Sequence, residues 1–172
     1  LLHGLIFRIL DDIRPSGVGI IMCGTAEYCR KMRGWQALCV LSRFVTSEIA
    51  ERVCISVFEA LGEMLHGQIR YFIEIFALQC TRNHPIVFGN ALVEQMIRQD
   101  LSLQQIASLM ILGGNLIVGR YQLDFFRQYE VEGEHTVRLN LVLSGVIPAL
   151  SSTQGFSRSI AQLLVHKLIP LV

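Results

Sequence analysis

Hydrophobic residues recur along the chain at the three- and four-residue spacing of amphipathic helices. Turn and capping residues separate these stretches from one another. The clearest stretch has apolar residues at every fourth position, namely Ile49, Val53, Val57, Leu61 and Leu65. The pattern predicts helices at 2–13 and 25–45, from 46 or 47, after 67, at 85–98, from 102, at 136–150 and at 155–169, with 122–134 as a long connection. The predicted fold class is therefore all-α.

One sequence motif, an arginine followed by apolar residues at helix spacing, occurs four times, at Arg33, Arg70, Arg138 and Arg158. The residue five positions after each arginine is apolar, being Leu38, Ile75, Leu143 or Leu163. The step of 37 residues from the first arginine to the second is the length of one helix-turn-helix unit. We therefore predict a HEAT-like or armadillo-like solenoid of stacked antiparallel helix pairs.

The repeated arginine has a structural interpretation. A guanidinium group can bridge adjacent helical hairpins by bonding helix-end carbonyls or a neighbouring carboxylate. Arg70 and Glu74 are four residues apart, which is the spacing of an ion pair along one helix.

The composition is apolar, with 52% hydrophobic and 17% charged residues, so membrane insertion has to be considered. The longest candidate, residues 101–119, contains five polar residues and barely reaches the length of a spanning helix. A helix packed between neighbours on both sides explains it better, and we predict no membrane contact. The five scattered cysteines fit reduced core residues of an intracellular protein, in the cytoplasm, the nucleus or both.

A formal net charge of +1 gives no broad electrostatic footprint for nucleic acid, so any RNA contact must be local. The candidate is the cluster Arg30, Lys31 and Arg33, next to Tyr28 and Trp35. Guanidinium groups meet phosphate and an aromatic ring can stack on a base. The alternative is a solvated helix face, with Trp35 in the core.

Two Glu-x-x-His matches, Glu63 with His66 and Glu132 with His135, have the spacing used by di-metal helical bundles. Gly133 lies inside the second match, within the polar connection, so no helix is expected to align its side chains. The cysteines lack zinc spacing, and no phosphate loop or nucleophile motif occurs. We therefore predict no catalytic, cofactor-binding or metal-binding residue. A helical di-metal enzyme remains an alternative only if both Glu-x-x-His pairs converge in space.

Three phrases, at residues 66–76, 107–116 and 155–163, resemble the helical region of eukaryotic tRNA ribose methyltransferases of the TAR RNA-binding protein type. In that family a helical-repeat region precedes a C-terminal knotted methyltransferase domain of the SpoU type. That domain methylates a D-loop guanosine of tRNA at its 2′ hydroxyl, with S-adenosylmethionine as the methyl donor. The motifs of the knotted domain do not occur in this sequence, so the resemblance assigns no catalytic residue here.

The resemblance implies that residues 1–172 are part of one solenoid in a larger protein that binds tRNA. It implies S-adenosylmethionine and a homodimer contact in the parent's C-terminal domain. A hidden chain gap is expected near residues 14–25, where the hairpin rhythm breaks. The alternative function is a protein-binding HEAT-repeat scaffold or trafficking subunit, which would expose an apolar or acidic groove.

Overall fold

The computed structural model describes residues 1–15, 17, 21–63, 65–96, 98, 100–102, 104–109, 112, 147–151, 158, 159, 161, 162, 165 and 166. Within these residues the regular elements are helices and there is no strand, which confirms the all-α prediction. The main helices are α1 (Leu2–Asp12), α2 (Ala26–Leu41), α3 (Ser47–Leu61), α4 (Gly67–Asn83) and α5 (Pro85–Met96). The chain divides into two compact units, Leu1–His84 and Pro85–Val172.

Helix α2 begins where the sequence predicts, because the Thr25 hydroxyl accepts a hydrogen bond from the Tyr28 amide at 3.2 Å. It ends four residues earlier than predicted, at Leu41, and a 3-10 turn follows (Ser42–Phe44). The Ser42 hydroxyl donates to the Cys39 carbonyl at 2.9 Å, and the Val45 amide to the Ser42 carbonyl at 3.2 Å. These local bonds tighten the last turn.

Helices α3 and α4 bury the faces that their spacing predicts. All five residues of the four-residue repeat in and after α3 are buried. In α4, Ile69, Ile73, Phe76 and Cys80 are buried, whereas Phe72 is only half-buried. Gly67 is the first residue of α4, and the ring of His66 caps it by accepting the Gln68 amide at 3.3 Å.

In the first unit the helices form two packed pairs. Helix α1 packs on α2 and α3 on α4, and the pairs meet through α1 on α3 and α2 on α4. Trp35 lies in the core between α2 and α4, with its ring 5.9 Å from that of Phe76. The 37-residue step therefore relates two helices, α2 and α4, that touch each other.

The second unit shows two predicted features. Pro85 is the first residue of α5. Its lack of an amide hydrogen costs nothing there, because the first amides of a helix have no acceptor within the helix. Ser102 and Gln105 form the capping box: the Ser102 amide donates to the Gln105 side chain at 2.8 Å, and the Gln105 amide donates to the Ser102 hydroxyl at 3.2 Å. Residues 104–109 are helical.

Part of the sequence-based description lies outside the described residues. This applies to the connection at 122–134, to Arg138, and to most of the helices at 136–150 and 155–169. Where those two helices are described, at Ile147–Ala149 and at 158–159, 161–162 and 165–166, the residues are helical. None of the helices in the described part of the chain is long and apolar enough to cross a bilayer.

Candidate nucleic-acid interface

Lys31, one of the three candidate RNA-contact residues, is buried, whereas Arg30 and Arg33 are exposed. The Lys31 side chain is 1% exposed, and its ammonium lies 2.9 Å from Oε2 and 3.2 Å from Oε1 of Glu63. It also donates to the Arg14 carbonyl at 3.2 Å. The Glu63 side chain is itself only 10% exposed. Lys31 therefore joins the chain after α1 to the chain after α3 and is not available to a ligand.

Arg30 is exposed but anchored to the end of α1. Its guanidinium donates to the carbonyl oxygen of Asp12, the last residue of that helix, and lies 3.3 Å from Asp12 Oδ1. It also lies 3.9 Å from the carboxylate of Glu27, one turn earlier on α2. A cation at a helix C-terminus satisfies an unpaired carbonyl and opposes the negative end of the helix dipole.

Arg33 is exposed and lines a groove of about 700 Å³ between α1 and α2. We call this the arginine groove, and its lining residues are Arg8, Ile9, Asp12, Ala26, Cys29, Arg30, Arg33 and Gly34. It holds three guanidinium groups and one carboxylate, and the carboxylate is paired with Arg30. Neither Arg8 nor Arg33 forms an ion pair within the described residues. Both cations can therefore meet an anion from solution.

The floor of the arginine groove depends on a close approach of two helices. A Cβ atom at Gly34 would lie 2.5 Å from Cγ2 of Ile13, a side chain that is 2% exposed. Only glycine lets α2 come this close to the end of α1. The approach brings Arg8 of the first helix and Arg33 of the second to one opening.

Arg70 has the structural role that the sequence suggested for the repeated arginine. It is 7% exposed, and it donates to the carbonyls of Leu61 at 3.1 Å and Glu63 at 3.4 Å, at the end of α3. Its guanidinium lies 3.8 Å from the Glu74 carboxylate. Burial lowers the pKa of Arg70, and the charge of Glu74 acts in the opposite direction.

Arg33 and Arg70 are therefore not equivalent, although the repeated motif aligns them. Arg70 on α4 bonds carbonyls at the end of another helix. On α2 this role belongs to Arg30 and Lys31, which donate to carbonyls at and beyond the end of α1. Arg8, which completes the groove, was missed from the sequence because it lies far from the basic cluster. Its one signal is a charge on the polar face of the predicted first helix.

A second opening lies between α2 and α4, with a volume of about 540 Å³. We call it the aromatic pocket, and it is lined by Tyr28, Met32, Gln36, Gly67, Gln68, Tyr71 and Phe72. Tyr71 is 58% exposed, and the Tyr28 hydroxyl donates to Oε1 of Gln68 at 2.6 Å.

The first Glu-x-x-His pair is used for structure. Glu63 binds Lys31 and His66 caps α4, while Glu132 and His135 lie outside the described residues. In the described part of the chain, no three His, Cys, Asp or Glu side chains are grouped so as to hold a metal ion.

The cysteines divide into two classes. Cys54 and Cys80 are buried and Cys39 is half-buried, as expected for core residues, whereas Cys23 and Cys29 are exposed. Burial raises the pKa of the Cys39 and Cys80 thiols, which keeps them protonated.

Comparison of the chain with protein-family models, with curated proteins and with solved structures gave no match.

Proposed function

We propose that this chain is a helical-repeat segment of a tRNA 2′-O-ribose methyltransferase that binds structured RNA and carries out no catalysis itself. The proposal combines the resemblance of three helical phrases with the chemistry of the arginine groove. HEAT-like stacking is part of it. The contacts of α1 with α3 and of α2 with α4 support it, because each repeat of a solenoid contacts its neighbours.

The observation that carries the proposal is a pair of guanidinium groups in the arginine groove that form no ion pair with any other described residue. Arg8 and Arg33 lie on different helices and open onto one cavity beside Arg30. Planar guanidinium groups bond phosphate oxygens through two parallel N–H groups. A polyanion bound there releases its condensed counterions, which makes such binding favourable and dependent on salt.

The chain's contribution is to hold RNA. The residues of the groove offer hydrogen-bond donors and positive charge, and the carboxylate among them, that of Asp12, is paired with Arg30. S-adenosylmethionine, methyl transfer and the homodimer contact are assigned to the parent's C-terminal domain, whose motifs this sequence lacks. We therefore derive no catalytic step for these residues.

The first test uses the whole chain, with Arg8→Gln and Arg33→Gln combined in one variant. We expect weaker binding of unmodified tRNA, and a plot of log affinity against log salt that is shallower by about 0.7–0.9 per lost phosphate contact. The matched control is Arg43→Gln with Arg82→Gln, which removes the same charge from exposed arginines outside the groove. An equal loss in the control would show that net charge, and not the groove, determines binding.

The second test uses the intact parent protein. We expect transfer of a methyl group from S-adenosylmethionine to a D-loop guanosine of tRNA, and a reduced rate at low tRNA concentration in the double groove variant. Absence of any methyl transfer by the parent would contradict the family assignment.

A protein-binding scaffold is the second candidate. The observation in its favour is the aromatic pocket, because exposed apolar surface is typical of protein docking sites. Such a scaffold would bind its partner with little salt dependence and would not bind tRNA. The salt series on tRNA therefore separates the two candidates.

A further inference from the structure

We propose that the aromatic pocket binds one unpaired nucleobase of the RNA whose phosphates lie in the arginine groove. This inference rests on the proposed function and names the part of the RNA that a second site would take. Proteins that recognise single-stranded segments stack the bases on aromatic rings and bond their edges with polar side chains. Both kinds of group line the pocket.

The stacking surface is the ring of Tyr71. A tyrosine side chain that is 58% exposed leaves a large aromatic face in contact with water. Its ring contacts that of Phe72 edge to face, with centroids 5.5 Å apart, which restricts its orientation. Covering this face with a flat base removes apolar area from water and adds stacking energy.

The polar groups of the pocket are the side-chain amides of Gln36 and Gln68. The Tyr28 hydroxyl donates to Oε1 of Gln68 at 2.6 Å, which fixes that amide and turns its NH₂ group away from Tyr28. Tyr28 is in turn held edge to face against the His66 ring, with centroids 5.4 Å apart. An amide offers both donors and acceptors, which suits the mixed edge of a nucleobase.

The pocket has room for a base at its open side. A Cβ atom at Gly67 would have no heavy atom within 4 Å, so open space adjoins this residue of the pocket lining. The volume of about 540 Å³ falls within the range of ordinary ligand sites.

The pocket and the arginine groove are neighbours across the exposed ridge of α2. Arg33 lines the groove and Gln36 lines the pocket. Residues three apart on a helix have Cβ atoms about 5–6 Å apart, so these two side chains leave the ridge side by side. A single strand crossing α2 can therefore place a phosphate at Arg33 and a base against Tyr71.

A docked peptide is the competing occupant, and the lining favours a base. Among the described residues that line the pocket there is no carboxylate or cation to pair with a charged peptide, and the polar groups are two neutral amides and two tyrosine hydroxyls. Arg33 of the groove directly follows Met32, which lines the pocket, and its guanidinium complements the backbone phosphate that each nucleotide of an RNA carries.

The experiment compares two probes, a short oligoadenylate RNA and a ribose-phosphate chain of the same length without bases. Tyr71→Ala should weaken oligoadenylate binding roughly tenfold and leave the abasic chain unaffected. Tyr71→Phe keeps the stacking ring and should stay within about twofold of the wild type. Ile55→Ala, at an equally exposed apolar position on α3, is the control and should change neither affinity.

The two proposals fail in different ways. Equal loss on both probes, or no loss with Tyr71→Ala, would overturn the base pocket while RNA binding by the groove stands. In that case a protein partner becomes the occupant to test. Failure of the wild type to bind oligoadenylate while it binds tRNA would overturn the base pocket alone. Failure of the wild type to bind tRNA would overturn the proposed function, and the base pocket with it.

Discussion

Lys31 and Arg33 lie two residues apart on α2 and have opposite environments. Lys31 is 1% exposed and paired with Glu63, whereas Arg33 is exposed in the arginine groove. A helix turns about 100° per residue, so positions two apart point to nearly opposite sides. A run of cations in a helical sequence therefore does not form one basic surface, and its members have to be assigned to faces before any is given a function.

The largest effect is expected from removing the charge partner of the buried Lys31. Glu63→Gln leaves Lys31 in the core without its charge partner, and we expect a loss of about 3 kcal/mol in the free energy of unfolding. Glu51→Gln, at an exposed position of α3, should change it by less than about 0.5 kcal/mol. Urea unfolding measures both, and similar values for the two variants would contradict the structural role of the Lys31–Glu63 pair.

The next largest effect is expected at Gly34, where α2 closely approaches the end of α1. Gly34→Ala places a Cβ atom 2.5 Å from Cγ2 of the buried Ile13, and we expect a loss of about 1–3 kcal/mol in thermal or urea unfolding. Gly4→Ala on α1 is the matched control, since a Cβ atom there meets nothing within 4 Å. Alanine should raise stability at that position by about 0.5–1 kcal/mol. Stabilisation by both substitutions would show that α1 and α2 are not held this closely.

The smallest effect is expected in the reactivity of an exposed cysteine of the arginine groove. Cys29 lines the arginine groove, and Cys23 is also exposed but does not line it. Bound tRNA should slow alkylation of Cys29 by iodoacetamide more than that of Cys23, as followed by mass spectrometry of labelled peptides. Cys80 should stay unlabelled with or without RNA, because burial raises its pKa and blocks access. Equal protection of Cys23 and Cys29 would place the RNA elsewhere.

Helix spacing and capping residues were enough to predict the all-α class and most boundaries of the helices between residues 2 and 96. The buried face of α3, the Thr25 cap, Pro85 at the start of α5 and the Ser102 capping box follow from local rules and are confirmed. Local rules could not show that α2 ends at Leu41, because the side-chain bond of Ser42 competes with the helix there.

The candidate site was only partly predictable. Arg30 and Arg33 were identified from composition, and both line the groove. Arg8 and Gly34 join them through the packing of α1 on α2, which a single sequence does not reveal. The burial of Lys31 depends on Glu63, a residue 32 positions away.

The most direct test of the account compares Lys31→Met with Arg33→Met, the same chemical change two residues apart. Free energy of unfolding and tRNA affinity are measured for both variants in the whole chain. We expect Lys31→Met to lose about 3 kcal/mol of stability, because Glu63 is left without its cation. Arg33→Met should keep its stability within about 0.5 kcal/mol and bind tRNA more weakly, with a shallower salt dependence. Equal stability losses, or full tRNA affinity in Arg33→Met, would contradict the division of α2 into a structural cation and an RNA-binding one.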